Sequence, residues 1–241
     1  MALTKYFSDP GNLDKNKLLA LKNFWDNHEL PITSFQSLLF GKTDLELFVS
    51  DESRKKMGEY LTKIYEYAIL LNVKPMVFGA PNNRKLNGLN FEQGFEIAVQ
   101  FFQRLLDSWE ADGPFIAFES NPSEYGCDFI TNNVQSLQLV GEVNRLNFRW
   151  HFDYTCSILA GETPTDFIRK MEYLPSHVHL SERALGPLVE SNQLKYIEFL
   201  SLLSKRGYKG IITLEMKQSK EIEEFYETIN LFNKVVDAFE I

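Results

Sequence analysis

Short apolar segments alternate with longer amphipathic segments along the chain, and this alternation constrains the fold more than any other feature. The segment from Phe91 to Asp112, for example, has apolar residues at helical spacing, and a short apolar run begins just after it. Predicted strands begin at six positions, namely Ile32, Pro75, Phe115, Phe148, His177 and Ile211. The first of these is expected to extend to Phe40. Strands that alternate with helices predict right-handed β-α-β units and a parallel sheet.

Two parallel architectures fit this alternation, and the residues at the strand ends distinguish them. An open doubly wound sheet carries a glycine-rich phosphate loop after its first strand, and neither G-x-G-x-x-G nor G-x-x-x-x-G-K-[ST] occurs here. A barrel instead places polar side chains at the carboxyl ends of several strands, which is the pattern in this chain. No Gly/Ser-rich linker interrupts the sequence. We therefore predict an α/β fold, a (β/α)8 TIM barrel that forms a single domain over residues 1–241.

Four predicted strands end on side chains that can ligate a metal ion: Glu119, Asp153, His179 and Glu215. In a barrel the strand ends converge at one opening, so residues that are distant in sequence can surround one ion. Three carboxylates and one imidazole suit a hard or borderline divalent cation. The set accommodates Mn²⁺, Mg²⁺, Co²⁺ or Zn²⁺ and does not choose among them.

Six segments carry a family resemblance: Phe118–Phe129, His151–Asp153, His177–Glu182, Thr213–Met216, Gln36–Gly41 and Val77–Arg84. In order and spacing they resemble the xylose isomerase-like TIM barrels, and within them the sugar phosphate isomerase/epimerase group. The resemblance extends over most of the chain. It implies that Glu119, Asp153, His179 and Glu215 hold one divalent metal ion.

The resemblance also implies a reaction. In the epimerase branch, Glu119 and Glu215 would flank the substrate and exchange a proton at the carbon next to a carbonyl. A metal ion bound by substrate oxygens would stabilise the negative charge that develops. The expected function is therefore a divalent-metal-dependent isomerase or epimerase that acts on a small sugar or sugar derivative.

Two positions depart from the ketose 3-epimerases of this superfamily. Cys156 stands where these enzymes commonly have a histidine, and Leu185 stands where they commonly have an arginine. Both departures remove a polar contact with the substrate. Two alternatives stay open: a metal-dependent hydrolase or lyase on the same barrel, in which the ion activates water, and a catalytically inactive barrel that binds sugar.

Polar side chains near the predicted strand ends are candidates for binding the substrate: His177, Glu182, Gln36, Asn82, Arg84 and Lys217. The glutamate, glutamine and asparagine could bond sugar hydroxyls, and the arginine and lysine could hold a phosphate or carboxylate. His177 shares its strand face with His179 and could contact substrate or support the metal. His151 shares the face of Asp153 and is interpreted as an interior, structural residue.

Charge and composition limit the partners. The chain has 25 Lys and Arg against 33 Asp and Glu, a net charge of −8, which argues against a general nucleic-acid binder. No apolar run approaches the roughly 18–20 residues that a membrane span requires. The two cysteines, Cys127 and Cys156, fit a reducing compartment. We expect a cytoplasmic protein whose partner is a small-molecule sugar.

The length of 241 residues is slightly short for the predicted fold, because such a barrel typically has about 250 residues and eight strand–helix units. Members of the resembling family usually begin one β-α unit earlier. We therefore expect the first strand and helix, and most of the second strand, to be lacking at the N-terminus. The resulting barrel would expose sheet edges that a second copy of the chain could cover, as a homodimer.

Overall fold

The computed structural model describes residues 1–238. These residues form two compact units, the first covering Met1–Trp150 and the second beginning at His151 and containing the rest of the chain. Each unit has its own parallel strands and its own helices.

The first unit contains most of the helices. Its elements, in chain order, are α1 (Leu3–Tyr6), α2 (Lys15–Asn27), α3 (Asp51–Leu71), β1 (Pro75–Phe78), α4 (Phe91–Leu106), β2 (Phe115–Phe118), α5 (Asn133–Val143) and the first half of β3 (Phe148–Asp153). Side-chain caps fix where the long helices begin, because Ser50 accepts the N–H of Ser53 and Asn90 accepts the N–H of Gln93. α3 ends at Asn72, which takes the left-handed conformation with φ 55°.

The strands of the first unit pair in parallel in the order in which they occur in the sequence. β1 pairs with β2 in the register Pro75↔Phe115, and β2 pairs with β3 in the register Ile116↔Phe148. A helix separates each strand from the next, as α4 separates β1 from β2. The parallel strand–helix repeat predicted from the sequence is therefore confirmed.

The strand predicted from Ile32 to Phe40 is wrong in extent. Only Phe35 pairs there, through an isolated parallel bridge to Met76. The chain leaves the extended conformation at Ser37, whose φ is 52°, and the N–H of Phe40 then bonds the carbonyl of Ser37 at 3.0 Å. This left-handed turn ends the pairing that the apolar run would otherwise have continued.

Aromatic side chains form the centre of the first unit's core. Phe102 of α4 is fully buried, and its ring lies 5.4 Å from Phe78, 5.7 Å from Phe118 and 4.6 Å from Phe148, centroid to centroid. These three partners belong to β1, β2 and β3. One helix residue thus contacts all three strands, which is how α4 is held against the sheet.

The second unit continues the same pattern. Its elements are the end of β3, then α6 (Tyr154–Leu159), α7 (Pro164–Lys170), β4 (His177–Ser181), α8 (Gln193–Lys205), β5 (Ile211–Glu215) and α9 (Ile222–Asp237). β3 pairs with β4 in the register Asp153↔His179, and β4 pairs with β5 in the register Ser181↔Glu215, both in parallel. Phe152 and Phe199 are fully buried and stack at 5.4 Å, which holds α8 against β3.

Several sequence-based expectations stay predictions. They include the single domain over residues 1–241, the homodimer, the absence of a nucleic-acid partner and the cytoplasmic location. In residues 1–238, no helix is both long enough and apolar enough to span a bilayer.

Replacing Phe102 with alanine should destabilise the protein by about 3–5 kcal/mol, because a large cavity would open between α4 and the strands. Phe24→Ala makes the same deletion at a side chain that is 52% exposed and should cost less than about 1 kcal/mol. Urea denaturation followed by circular dichroism measures both free energies. Equal losses in the two variants would contradict this account of the core.

Candidate metal centre

Three of the side chains predicted to bind metal come together in the second unit. Asp153 and Glu215 are the last residues of β3 and β5, and His179 is the middle residue of β4. Each offers one ligand atom, and these atoms lie within 4.8 Å of one another. The parallel register explains the convergence, since Asp153 and His179 are direct partners across the β3–β4 pair.

Asp153 is fixed by hydrogen bonds from two elements. The hydroxyl of Ser181, in β4, donates to both carboxylate oxygens at 2.8 Å. The backbone N–H of Cys156 donates to Oδ1 at 2.6 Å, which makes Asp153 the N-cap of α6. The carboxylate therefore keeps one orientation, with its side chain buried.

His179 and Glu215 form a close pair beside Asp153. The distance from His179 Nδ1 to Glu215 Oε2 is 3.0 Å, and the two side chains are 1% and 15% exposed. Burial by itself would raise the pKa of the Glu215 carboxyl, but the charge and hydrogen bond of His179 lower it below its ordinary value. Glu215 is thus a carboxylate that stays ionised at neutral pH.

The electrostatics around Asp153 favour a cation. Burial and the negative charge of Glu215 raise the pKa of the Asp153 carboxyl, against the opposing effects of His179, Cys156 and Ser181. Two buried carboxylates that repel each other, together with an imidazole, are a donor set that a divalent cation would stabilise. The residues present therefore fit a metal ion with mixed oxygen and nitrogen ligation.

Two further histidines lie against His179. The ligand nitrogens of His151, His177 and His179 are within 4.8 Å of one another, and all three side chains are fully buried. Burial and, to a smaller extent, the neighbouring His179 together lower the pKa of His177 to about 3. The same two causes, together with His177, hold the pKa of His151 well below its usual range. His151 is interior, as the sequence analysis predicted.

Glu119 lies in the first unit, directly after β2. Its side chain is buried, and its backbone N–H bonds the carbonyl of Phe78 at 3.0 Å. A Cβ on Gly79 would overlap Glu119 Oε2 and would lie 3.2 Å from Asn121 Oδ1. The glycine therefore leaves the space that the Glu119 carboxylate occupies. The roles of Glu119 as fourth metal ligand and catalytic residue stay predictions.

Arg84 occupies an unexpected environment for a residue predicted to bind substrate. It is fully buried, and its Nη2 donates to the carbonyl of Glu119 at 3.0 Å and to Asn121 Oδ1 at 2.8 Å. Its guanidinium also lies 5.0 Å from the ring centroid of Phe118. These contacts hold the segment that carries Glu119. Arg84 therefore differs from an exposed cation, whose charged group would be accessible to a ligand.

The other two candidates of the first unit are accessible. Gln36 is half-buried, and its backbone N–H bonds the carbonyl of Met1 at 2.9 Å. Asn82 is exposed and lines a cavity of about 600 Å³ together with Lys42 and Lys85. Both side chains can therefore reach a small polar ligand, and their roles in binding stay predictions.

In the second unit, Glu182 is bonded within the protein. Its Oε1 accepts a short hydrogen bond from the Tyr196 hydroxyl and one of 2.9 Å from Asn192 Nδ2. Lys217 is exposed, and its backbone N–H bonds the carbonyl of Leu185 at 2.9 Å. The binding roles of Glu182, Lys217 and His177 stay predictions.

Ser181 and Gly79 are two site residues that sequence reasoning missed. Ser181 shares its strand face with His179, so the alternation of β4 could have indicated it. Gly79 gave no such signal, because its importance comes from the approach of Glu119 across a strand pair. Only the tertiary structure brings that side chain to the glycine.

Comparisons with known proteins bear on the fold. A family model described as "Xylose isomerase-like TIM barrel" matches residues 4–235. The comparison with curated proteins gives no match.

Three solved structures illustrate the likeness. A D-psicose 3-epimerase in the presence of D-fructose has a TM-score of 0.80 at 11% identity, over 95% of this chain and 86% of that one. A 3-keto-D-glucoside 4-epimerase from E. coli has a TM-score of 0.76 at 13% identity, over 93% and 87%. An AP endonuclease of family 2 from Brucella melitensis has a TM-score of 0.73 at 18% identity, over 89% and 82%. At these identities the likeness establishes a common fold.

Gly79→Ala should displace the Glu119 side chain, because the added methyl group would overlap its carboxylate. We expect a loss of stability of about 1–3 kcal/mol from overpacking. Gly58→Ala is the matched control, since a Cβ there meets nothing nearer than Phe101 Cε2 at 3.8 Å. Urea denaturation measures the free energy of unfolding of both variants. A Gly79→Ala variant as stable as the native chain would contradict the close approach of the Glu119 carboxylate to Gly79.

His177 should make stability depend on pH between its ordinary pKa of 6.5 and its folded pKa of about 3. In that window the unfolded chain binds a proton that the folded chain does not, so stability present above pH 6.5 falls as the pH falls. Between pH 6.5 and 4.5, the free energy of unfolding of His177→Gln should therefore fall by roughly 2 kcal/mol less than that of the native chain.

Urea denaturation at the two pH values measures this difference. His28→Gln removes an exposed histidine at the end of α2 and should keep the native pH dependence. The same pH dependence in the native chain and in His177→Gln would be evidence against a buried neutral imidazole at position 177.

Proposed function

Because the chain belongs to the xylose isomerase-like TIM barrel family, we propose that it is a divalent-metal-dependent isomerase or epimerase acting on a small sugar or sugar derivative. The observation that carries this proposal is the convergence of His179, on β4, with Asp153 and Glu215 at the carboxyl ends of the neighbouring parallel strands β3 and β5. In barrels of this kind the active site is built at that end of the strands. The three solved structures described above include two sugar epimerases, which supports the same substrate class.

Asp153, His179 and Glu215 would hold the metal ion, and Glu119 is proposed as the fourth ligand. When bound, the ion would draw electron density from the substrate carbonyl and stabilise the charge that develops on its oxygen. The donor set suits Mn²⁺, Mg²⁺, Co²⁺ or Zn²⁺. Ser181 supports this arrangement by keeping both oxygens of Asp153 in place.

Glu215 is the stronger candidate for the base that removes a proton from the carbon next to the carbonyl. His179 keeps the Glu215 carboxyl ionised at neutral pH. Glu215 is also the most exposed of the three proposed ligands, with 15% of its side chain accessible. The proton from the substrate carbon passes to a Glu215 oxygen, and the C–H electron pair moves toward the carbonyl.

Glu119 is proposed as the acid that returns a proton to the same carbon or to its neighbour. Return to the opposite face of the same carbon gives epimerisation, and return to the neighbouring carbon gives isomerisation. His177, Glu182, Gln36, Asn82, Arg84 and Lys217 are the proposed substrate contacts. Among them, Gln36, Asn82, Glu182 and Lys217 are at least partly accessible, whereas His177 and Arg84 are buried.

A hydrolase or lyase on the same metal centre, or an inactive sugar-binding barrel, are the alternatives. They differ from the proposal in the products that they form from the sugar. A hydrolase or lyase releases cleavage or elimination products, whereas an inactive barrel binds metal and sugar but transforms neither.

The proposal predicts deuterium incorporation next to the carbonyl when the Mn²⁺-loaded chain is incubated in D₂O with a panel of ketoses and ketose phosphates. NMR or mass spectrometry measures the exchange. Glu215→Gln should lower its rate by about 10²–10⁴-fold, because it removes the proposed base.

Two variants sharpen this test. Asp153→Asn should lose bound Mn²⁺, which metal analysis detects. Glu198→Gln changes an exposed glutamate of α8 and should leave exchange and metal content unchanged. If the metal-loaded native chain exchanges no carbon-bound proton of any sugar in the panel, the isomerase proposal is wrong.

A further inference from the structure

Three imidazoles meet in the interior of the second unit. His151, His177 and His179 are fully buried, and their ring centroids are separated by 5.3 Å, 4.3 Å and 5.1 Å for the pairs 151–177, 151–179 and 177–179. One nitrogen of each lies within 4.8 Å of the others. We call these residues the histidine triad.

The register of the strands builds this triad. His151 pairs directly with His177 across β3 and β4, just as Asp153 pairs with His179. Because alternate strand residues share a face, His151 lies on the face of Asp153 and His177 on the face of His179. His151 and His177 therefore lie one layer below Asp153 and His179, and His179 belongs to both sets.

We propose that the histidine triad is a second, nitrogen-rich metal site that takes Cu²⁺, Zn²⁺ or Ni²⁺ in preference to Mn²⁺ or Mg²⁺. Imidazole nitrogens suit these borderline cations, whereas carboxylate oxygens suit the harder ones. Three histidines that ligate one ion and leave a further position open form a known arrangement for zinc. Asp153, His179 and Glu215 offer two oxygens and one nitrogen, so the two sets select different ions.

The chemistry of the buried triad supports a ligand role. Apolar side chains fill the neighbouring positions of the same strands, as Phe152 and Val178 do, with no polar atoms to desolvate. Three imidazoles instead bring nitrogen donors into the interior, where they can bind a metal ion. Thr213, whose Oγ1 lies 3.3 Å from His177 Nε2, gives one of these rings a fixed orientation.

Because the histidine triad and the carboxylate set share His179, a metal ion can occupy one set or the other. His179 is a ligand in each, so two ions would lie close together and repel strongly in a buried site. We therefore infer that one ion occupies the pair of sites at a time. Glu215, which bonds His179, is 15% exposed, whereas the three histidines of the triad are fully buried.

Electron paramagnetic resonance of the native chain loaded with one equivalent of Cu²⁺ tests the proposal without any variant. Three nitrogen ligands are expected from hyperfine and pulsed measurements. A spectrum with a single nitrogen would place Cu²⁺ at the carboxylate set and overturn the proposal. The readout is the bound metal itself, so it does not depend on the isomerase proposal or on any activity.

Variants assign the nitrogens. His151→Gln and His177→Gln should each remove one nitrogen from the spectrum and weaken Zn²⁺ binding by at least about 10-fold. His28→Gln, at an exposed position, should leave both unchanged. Asp153→Asn should keep all three nitrogens while losing Mn²⁺, which separates this site from the carboxylate set.

Competition tests the shared residue. When Zn²⁺ is added to the Mn²⁺-loaded chain, Mn²⁺ should be released, and the total metal should stay at one ion per chain. A total of two ions per chain would overturn the inference that the two sites exclude each other.

Discussion

The hydrogen bonds to Asp153 hold together the structure around the candidate metal centre. The hydroxyl of Ser181 and the backbone N–H of Cys156 both donate to this carboxylate, so one buried group joins the end of β3 to β4 and to the start of α6. Buried carboxylates are unfavourable unless such donors or a cation satisfy them. The same carboxylate is therefore both a structural link and a candidate metal ligand, and its hydrogen bonds set its orientation.

His179 is the second residue on which the site depends, because the carboxylates of Asp153 and Glu215 both lie near it. Its bond to Glu215 lowers the pKa of that carboxyl, while burial and Glu215 raise the pKa of Asp153. On its other side, His179 contacts the rings of His151 and His177. One imidazole thus connects an oxygen-rich donor set with a nitrogen-rich one, and this connection is the basis for expecting two classes of metal ion to compete.

Features that depend on residues close together in the sequence could be predicted, whereas features that depend on tertiary contacts could not. β1 to β5 begin within one residue of their predicted positions. The signal is clearest for β1 and β2, because burial on both faces gives a parallel strand a continuous apolar sequence. The Ile32–Phe40 strand failed because a single left-handed residue, Ser37, ends the pairing. The sequence indicates Arg84 as a candidate substrate contact, and the structure buries it fully against Glu119, Asn121 and Phe118.

The sequence by itself determined the parallel strand–helix pattern and the choice of Asp153, His179 and Glu215 as candidate metal ligands, since both follow from residue type and period. Only the tertiary structure decided the register, which pairs His151 with His177 and Asp153 with His179. It also decided which donors hold Asp153 and which glycine leaves space for Glu119. These features depend on contacts between residues that are distant in the chain, and no local pattern encodes the distance between two such side chains.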